Sequence, residues 1–83
     1  MQILNVYPNP AHDLITIDAF IQQPDVVEIV LNDNSGKQVY HQTKIATQQQ
    51  FVTTIDVSKM QQGVYFLYIK TGGSQIVRKV TIQ

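Results

Sequence analysis

The chain has 83 residues, no cysteine, and six basic residues against six acidic ones. That length allows one domain with one modest core, because a chain of this size buries only roughly 60–65% of the surface it exposes when unfolded. With 43% hydrophobic and 14% charged residues it has the material for a core and is not a disordered chain; its neutrality excludes an electrostatic footprint for nucleic acid, the missing cysteines exclude disulfides and thiolate chemistry, and no stretch approaches the ~20 apolar residues of a membrane span.

Along the chain, alternation with a period of two recurs and no segment sustains a helical period. The first expected strand covers 3–7 and ends at Pro8-Asn9-Pro10, where two prolines fix φ and remove two backbone donors. The same prolines interrupt the opening segment before an apolar run of the signal-peptide kind develops. A chain that starts almost directly in a strand is expected to be one domain, 1–83, taken from a larger secreted protein.

The second strand, 14–20, places Ile15, Ile17 and Ala19 on one face, and a turn at Gln22-Gln23-Pro24-Asp25 follows. The third, 26–33, places Val27, Ile29 and Leu31 together. Asn34-Ser35-Gly36-Lys37 is a hairpin loop in which Gly36 supplies a positive φ. The fourth strand, 38–44, carries Val39 and Tyr40 among polar residues, which suits a sheet edge. A polar loop over 46–50 leads to 51–57, where Phe51, Thr53, Ile55 and Val57 share a face.

Residues 58–62 cross over to 63–70, with Tyr65, Leu67 and Ile69 on one face and Val64, Phe66 and Tyr68 on the other. After Thr71-Gly72-Gly73-Ser74, a last strand over 75–82 closes the domain. About seven strands at this spacing predict an all-β, antiparallel sandwich of Ig-like or fibronectin-like form, with a small closed barrel as the alternative. Arg78 shares a face with Ile76, Val80 and Ile82, so it reaches out at the rim or a bulge shifts the register.

Catalysis needs convergent groups, and few are present. His12 and His41 lie on different segments and supply too few ligands for zinc. A triad of His41, Asp56 and Ser58 lacks the strained elbow that would mark its serine. Asp33-Asn34-Ser35-Gly36 lacks the distal glutamate and alternating oxygens of a calcium loop, and reads as a turn. Asp56 and Ser58 read as turn-forming residues of the crossover. No metal, cofactor or phosphate site is expected, and the chain is not expected to be an enzyme.

Gly63 and Tyr65 fit a tyrosine corner, in which the phenol reaches back to a backbone group near the start of the sixth strand; a plain core tyrosine is the competing reading. Val64, Phe66 and Tyr68, extended by Val26, Val30 and Val77, are either a candidate docking face or a stripe covered by its neighbours.

The ordered set Tyr7-Pro8-Asn9-Pro10, Leu14-Ile15-Thr16-Ile17, Asp33-x-x-Gly36-Lys37-x-Val39, Ile55-Asp56-Val57-Ser58-x-Met60-x-x-Gly63-Val64-Tyr65 and Lys79-Val80 spans nearly the whole chain. It resembles the type A C-terminal sorting domain of type IX secretion cargo in Bacteroidetes. The chain departs from that pattern at Thr81-Ile82-Gln83, where many members carry a basic residue. The resemblance implies a domain that folds in the periplasm behind an N-terminal cargo. It implies recognition by the outer-membrane translocon, removal by a sortase-like cysteine protease cutting before or very near Met1, and cargo left at the cell surface or in the medium. By the same resemblance Pro8, Asn9 and Pro10 match the opening motif, Gly36 and Lys37 the hairpin motif, Gly63 and Tyr65 that of the next-to-last strand, and Lys79 the terminal one.

A sugar-binding sandwich using Phe66, Tyr68 and Tyr40 is the main rival, weakened by the absence of Trp. A structural module that self-associates through an edge strand is the third reading.

Overall fold

The computed structural model describes residues 1–47 and 49–83, with Leu4 described by its backbone. The expected loop over 46–50 includes Gln48, which lies outside the described residues. Seven strands form: β1 (Gln2–Tyr7), β2 (Leu14–Phe20), β3 (Asp25–Asn32), β4 (Gln38–Ala46), β5 (Gln50–Asp56), β6 (Gly63–Thr71) and β7 (Ser74–Ile82). They make two antiparallel sheets, ordered β1-β2-β5 and β4-β3-β6-β7. This is the sandwich expected from the alternation, with β3 and β6 in the middle of the larger sheet and β4 and β7 at its edges. The closed-barrel alternative is overturned by the division into two sheets.

Burial follows the period of two. Ile15, Ile17 and Ala19 face Ile55, Thr53 and Phe51 across β2–β5, and all six are buried. Val27, Ile29 and Leu31 meet Leu67, Ile69 and Tyr65 in the opposite layer. Removing these side chains from water on both inner faces drives the two sheets together, at about 25 cal/mol per Å² of apolar surface.

Two bulges correct what strict alternation implies. Ile3 and Val6 differ by an odd spacing, so a regular strand turns them to opposite faces. A register shift between Ile3 and Asn5 instead pairs Ile3 with Ala19 and Val6 with Ile17, and both pack on the core. A second shift pairs Leu31 with Tyr40 and Asn32 with Gln38, leaving Val39 as the extra residue on β4. No shift occurs on β7, which pairs with β6 continuously from Gly63↔Ile82 to Thr71↔Ser74. Arg78 stays in register on the inner side of an edge strand and reaches out at the rim, exposed; the bulge considered for that strand is absent.

The strand directions give the molecule two poles along its 36 Å axis. The near pole holds Met1 together with the β2–β3 and β6–β7 turns, which share one groove. The far pole holds the β1–β2, β3–β4 and β5–β6 connections and Gln83.

Candidate functional site

At the far pole, the hairpin is built around one carboxylate. Asp33 Oδ1 accepts from Ser35 N (2.9 Å), Ser35 Oγ (2.7 Å) and Lys37 N (3.0 Å), while Asp33 N donates to the Lys37 carbonyl at 2.8 Å. The Ser35 hydroxyl, followed by the loop amides, holds the Asp33 carboxyl below the usual carboxylate value. Gly36 has φ +90°, as the turn demands. Asp33 Oδ1 thus serves the turn itself.

The crossover repeats the device. Asp56 Oδ1 accepts from Ser58 N (2.9 Å) and Ser58 Oγ (2.7 Å), and these bonds lower its pKa, the hydroxyl contributing most. His41 is elsewhere, on the outer face of β4, where its Nε2 lies 2.7 Å from Glu28 Oε2. The three residues considered as a triad are therefore not brought together. Tyr65, 6% exposed, donates its hydroxyl to the Gln61 carbonyl at 2.6 Å, which is the corner geometry rather than a plain core tyrosine. Gly63, at φ +154°, lets the chain bend into β6 just before it. The hairpin and the corner share one groove, lined by Asp33, Ser35, Gln61, Gly63 and Tyr65.

The opening and terminal motifs meet on the other side of the same pole. Both X–Pro bonds of Tyr7-Pro8-Asn9-Pro10 are cis. Neither proline has an N–H to give, and the Asn9 side chain supplies what the backbone lacks. Its Nδ2 donates to the Lys79 carbonyl (3.3 Å) and its Oδ1 accepts from Thr81 N (2.9 Å), so one primary amide pairs with β7 as a peptide unit would. Ala11 continues in backbone form: its N–H donates to the Thr81 carbonyl and its carbonyl accepts from Gln83 N, each at 2.8 Å. Ala11 bridges Ile82 in parallel sense and is fully buried. His12 Nδ1 lies 2.9 Å from the Gln83 carbonyl. Sequence reading singled out Asn9 but missed Ala11, His12 and Gln83 as its companions. The available signal was the amide placed between two residues that cannot donate.

The outer face of the four-stranded sheet carries Val64, Phe66 and Tyr68, all half-buried. Tyr68 lies across from Val30 on one side and Val77 on the other, and Phe66 across from Asn32 and Lys79. Val30 is only 7% exposed: it sits between His41 and Tyr68 in register, whose rings flank it, and so it is not part of an open patch. Val77 at 42% and Val26 at 52% remain exposed. Tyr40 does not join these aromatics. It pairs with the buried Leu31 on the inner face of β4, packs on the core, donates its hydroxyl to Gln42 Oε1, and is pushed up in pKa by burial. The sugar platform of Phe66, Tyr68 and Tyr40 is thereby broken: paired residues share a face, so Tyr40 follows Leu31 and Leu67 inward while Phe66 and Tyr68 point outward.

Residues 5–83 match the family model described as a secretion system C-terminal sorting domain. No curated protein matches the chain.

Proposed function

The chain belongs to the secretion system C-terminal sorting domains, the signals for type IX secretion, and from that membership we propose that the far pole is the surface the secretion machinery reads. The family implies interaction with that machinery, an N-terminal cargo, and a protein that crosses the outer membrane to the cell surface or the extracellular space. It is a family of sorting signals and is not known for catalysis.

The observation that carries the proposal is convergence. Pro8, Asn9, Pro10, Gly36, Lys37, Gly63 and Tyr65 are scattered through the sequence, yet all lie at the far pole, where Asn9 also holds the Lys79 carbonyl. Strand β1 runs toward that pole from the other end, so a cargo joined ahead of it leaves the far pole uncovered. Folding takes place in the periplasm before recognition, and a sortase-like protease cuts ahead of β1 once the cargo is across. The prolines and glycines set the backbone of the pole. Lys37 and Lys79, both exposed, offer charge to the reader. Val64, Phe66 and Tyr68 stand beside Lys79 and extend the contact along the sheet.

Fusing residues 1–83 and a native upstream linker behind a periplasmic reporter tests the sorting role in a type IX-competent host. Reporter at the surface or in the medium, lost in a translocon-deficient strain, is expected; a folded domain with its reporter retained in the periplasm contradicts it. In that assay Lys79→Ala is expected to lower export with little change in melting. Unfolding by Lys79→Ala assigns the residue a structural part instead.

A further inference from the structure

The two sheets end together on one flank, at β1 and β7. Between them runs a groove floored by Ile3, Val6 and Val80, rimmed by Arg78 and Lys79, and closed toward the far pole by Asn9. Thr81 directs both its backbone groups to this free edge, where Asn9 and Ala11 take them. Since β7 pairs with β6 without a shift, alternation directs the groups of Lys79, Val77 and Gln75 to the same edge. Asn9 takes the Lys79 carbonyl. Arg78 Nη1 folds back on the Val77 carbonyl at 3.1 Å. Among the described residues, no backbone or side-chain group bonds the edge-facing N–H of Lys79, the N–H of Val77 or either group of Gln75. Nor does a carboxylate pair with Arg78 or Lys79; the ion pair among described residues is His41–Glu28.

We propose that the 75–79 edge of β7 is a strand-addition site for an extended acidic segment of a partner protein. Main-chain groups of the incoming segment take the unbonded N–H groups and the Val77 carbonyl, continuing the pairing that Asn9 and Ala11 begin. The Arg78 guanidinium, released from that carbonyl, grips a carboxylate of the segment in bidentate fashion, with Lys79 supplying the second charge. Alternate apolar side chains of the segment cover Ile3 and Val6, both half-exposed. Two cations with no lining carboxylate select acidic over basic segments. Asn9 and Lys79 are shared with the far pole but Val77 and Arg78 are not, so peptide binding measured on Val77 and Arg78 variants is separable from export.

An end-blocked peptide alternating valine and glutamate, titrated into the 83-residue domain and followed by amide chemical shifts, tests the site. Shifts confined to 75–79 and to 3–6 are expected, with affinity falling about tenfold in Arg78→Glu at low salt. The same peptide N-methylated at alternate residues, which leaves the protein untouched, is expected not to bind. Val77→Pro removes an edge-facing donor without breaking the β6 ladder and is expected to abolish binding in a folded domain. The proposal is overturned by no binding of the glutamate peptide, by equal binding of a valine–lysine peptide, by undiminished binding of the N-methylated peptide, or by shifts located elsewhere.

Discussion

Single side chains at the far pole do the work of missing backbone. Asn9 replaces a peptide unit that its flanking prolines cannot provide, and its partners lie on the last strand, at Lys79 and Thr81. Asn9→Ala is expected to cost on the order of 1 kcal/mol and to act locally: amide exchange should quicken at Thr81 and Gln83 while β3 and β6 stay protected. Unchanged protection at Thr81 contradicts this. Gly63 has open space where a Cβ would sit, but its φ of +154° is one that side chains resist. Gly63→Val is therefore expected to lose about 1–3 kcal/mol through backbone strain, with export falling only as the fold falls; an unchanged melting curve with export lost would reverse that assignment. Asp33 and Asp56 both have depressed pKa values from the hydrogen bonds their loops donate. Their stabilisation is present above the ordinary carboxylate pKa of about 4 and is lost as pH falls through the lower folded values. Melting temperature is expected to hold from neutral pH to about 5 and then drop, and to drop less in Asp33→Asn/Asp56→Asn, whose loops no longer titrate.

Elements were legible where alternation was clean. Positions 15, 17 and 19 of β2, and 51, 53 and 55 of β5, announced one buried face each, and the structure buries them. Boundaries moved where pairing outlasted pattern: β4 runs to Ala46 and β7 starts at Ser74 because their partners Asp25 and Thr71 still offer hydrogen bonds. The bulges were not legible. Nothing in Ile3 to Tyr7 marks an extra residue, and only the need to bury both Ile3 and Val6 against β2 fixes it. The sequence alone also misjudged Val30 and Tyr40, for two reasons: cross-strand neighbours cover Val30 although its face is the outer one, and the bulge at Val39 resets which face Tyr40 takes relative to the hairpin. The edges show how the sandwich avoids uncontrolled pairing. Strand β1 is bulged and Asn9 covers the end of β7 at Lys79 and Thr81; a bulge and a covered end both limit pairing along a whole edge, leaving the 75–79 stretch of β7 open.

On the scale of the whole molecule, the ordered motifs made the family legible from the sequence, and the match over residues 5–83 agrees. What the sequence could not give was their common place. Asn9 is joined to Lys79 and Thr81 by hydrogen bonds spanning 70 and 72 positions, and the Asp33–Ser35 turn shares a groove with Gly63 only because β3 and β6 are neighbours in the sheet. The result is a rod-like sandwich with its tail motifs at one pole and Met1 at the other, 36 Å being its long dimension. The most direct measurement compares two insertions of the same short Gly-Ser segment in the reporter fusion, one between Gly72 and Gly73 at the near pole and one between Asn34 and Ser35 at the far pole. Both sites are exposed turns, and because the far-pole insertion interrupts the Asp33 hydrogen bonds, export is compared only between variants whose melting curves show a folded domain. The account expects export to survive the near-pole insertion and to fail with the far-pole insertion; equal export from the two, or loss only with the near-pole insertion, would contradict it.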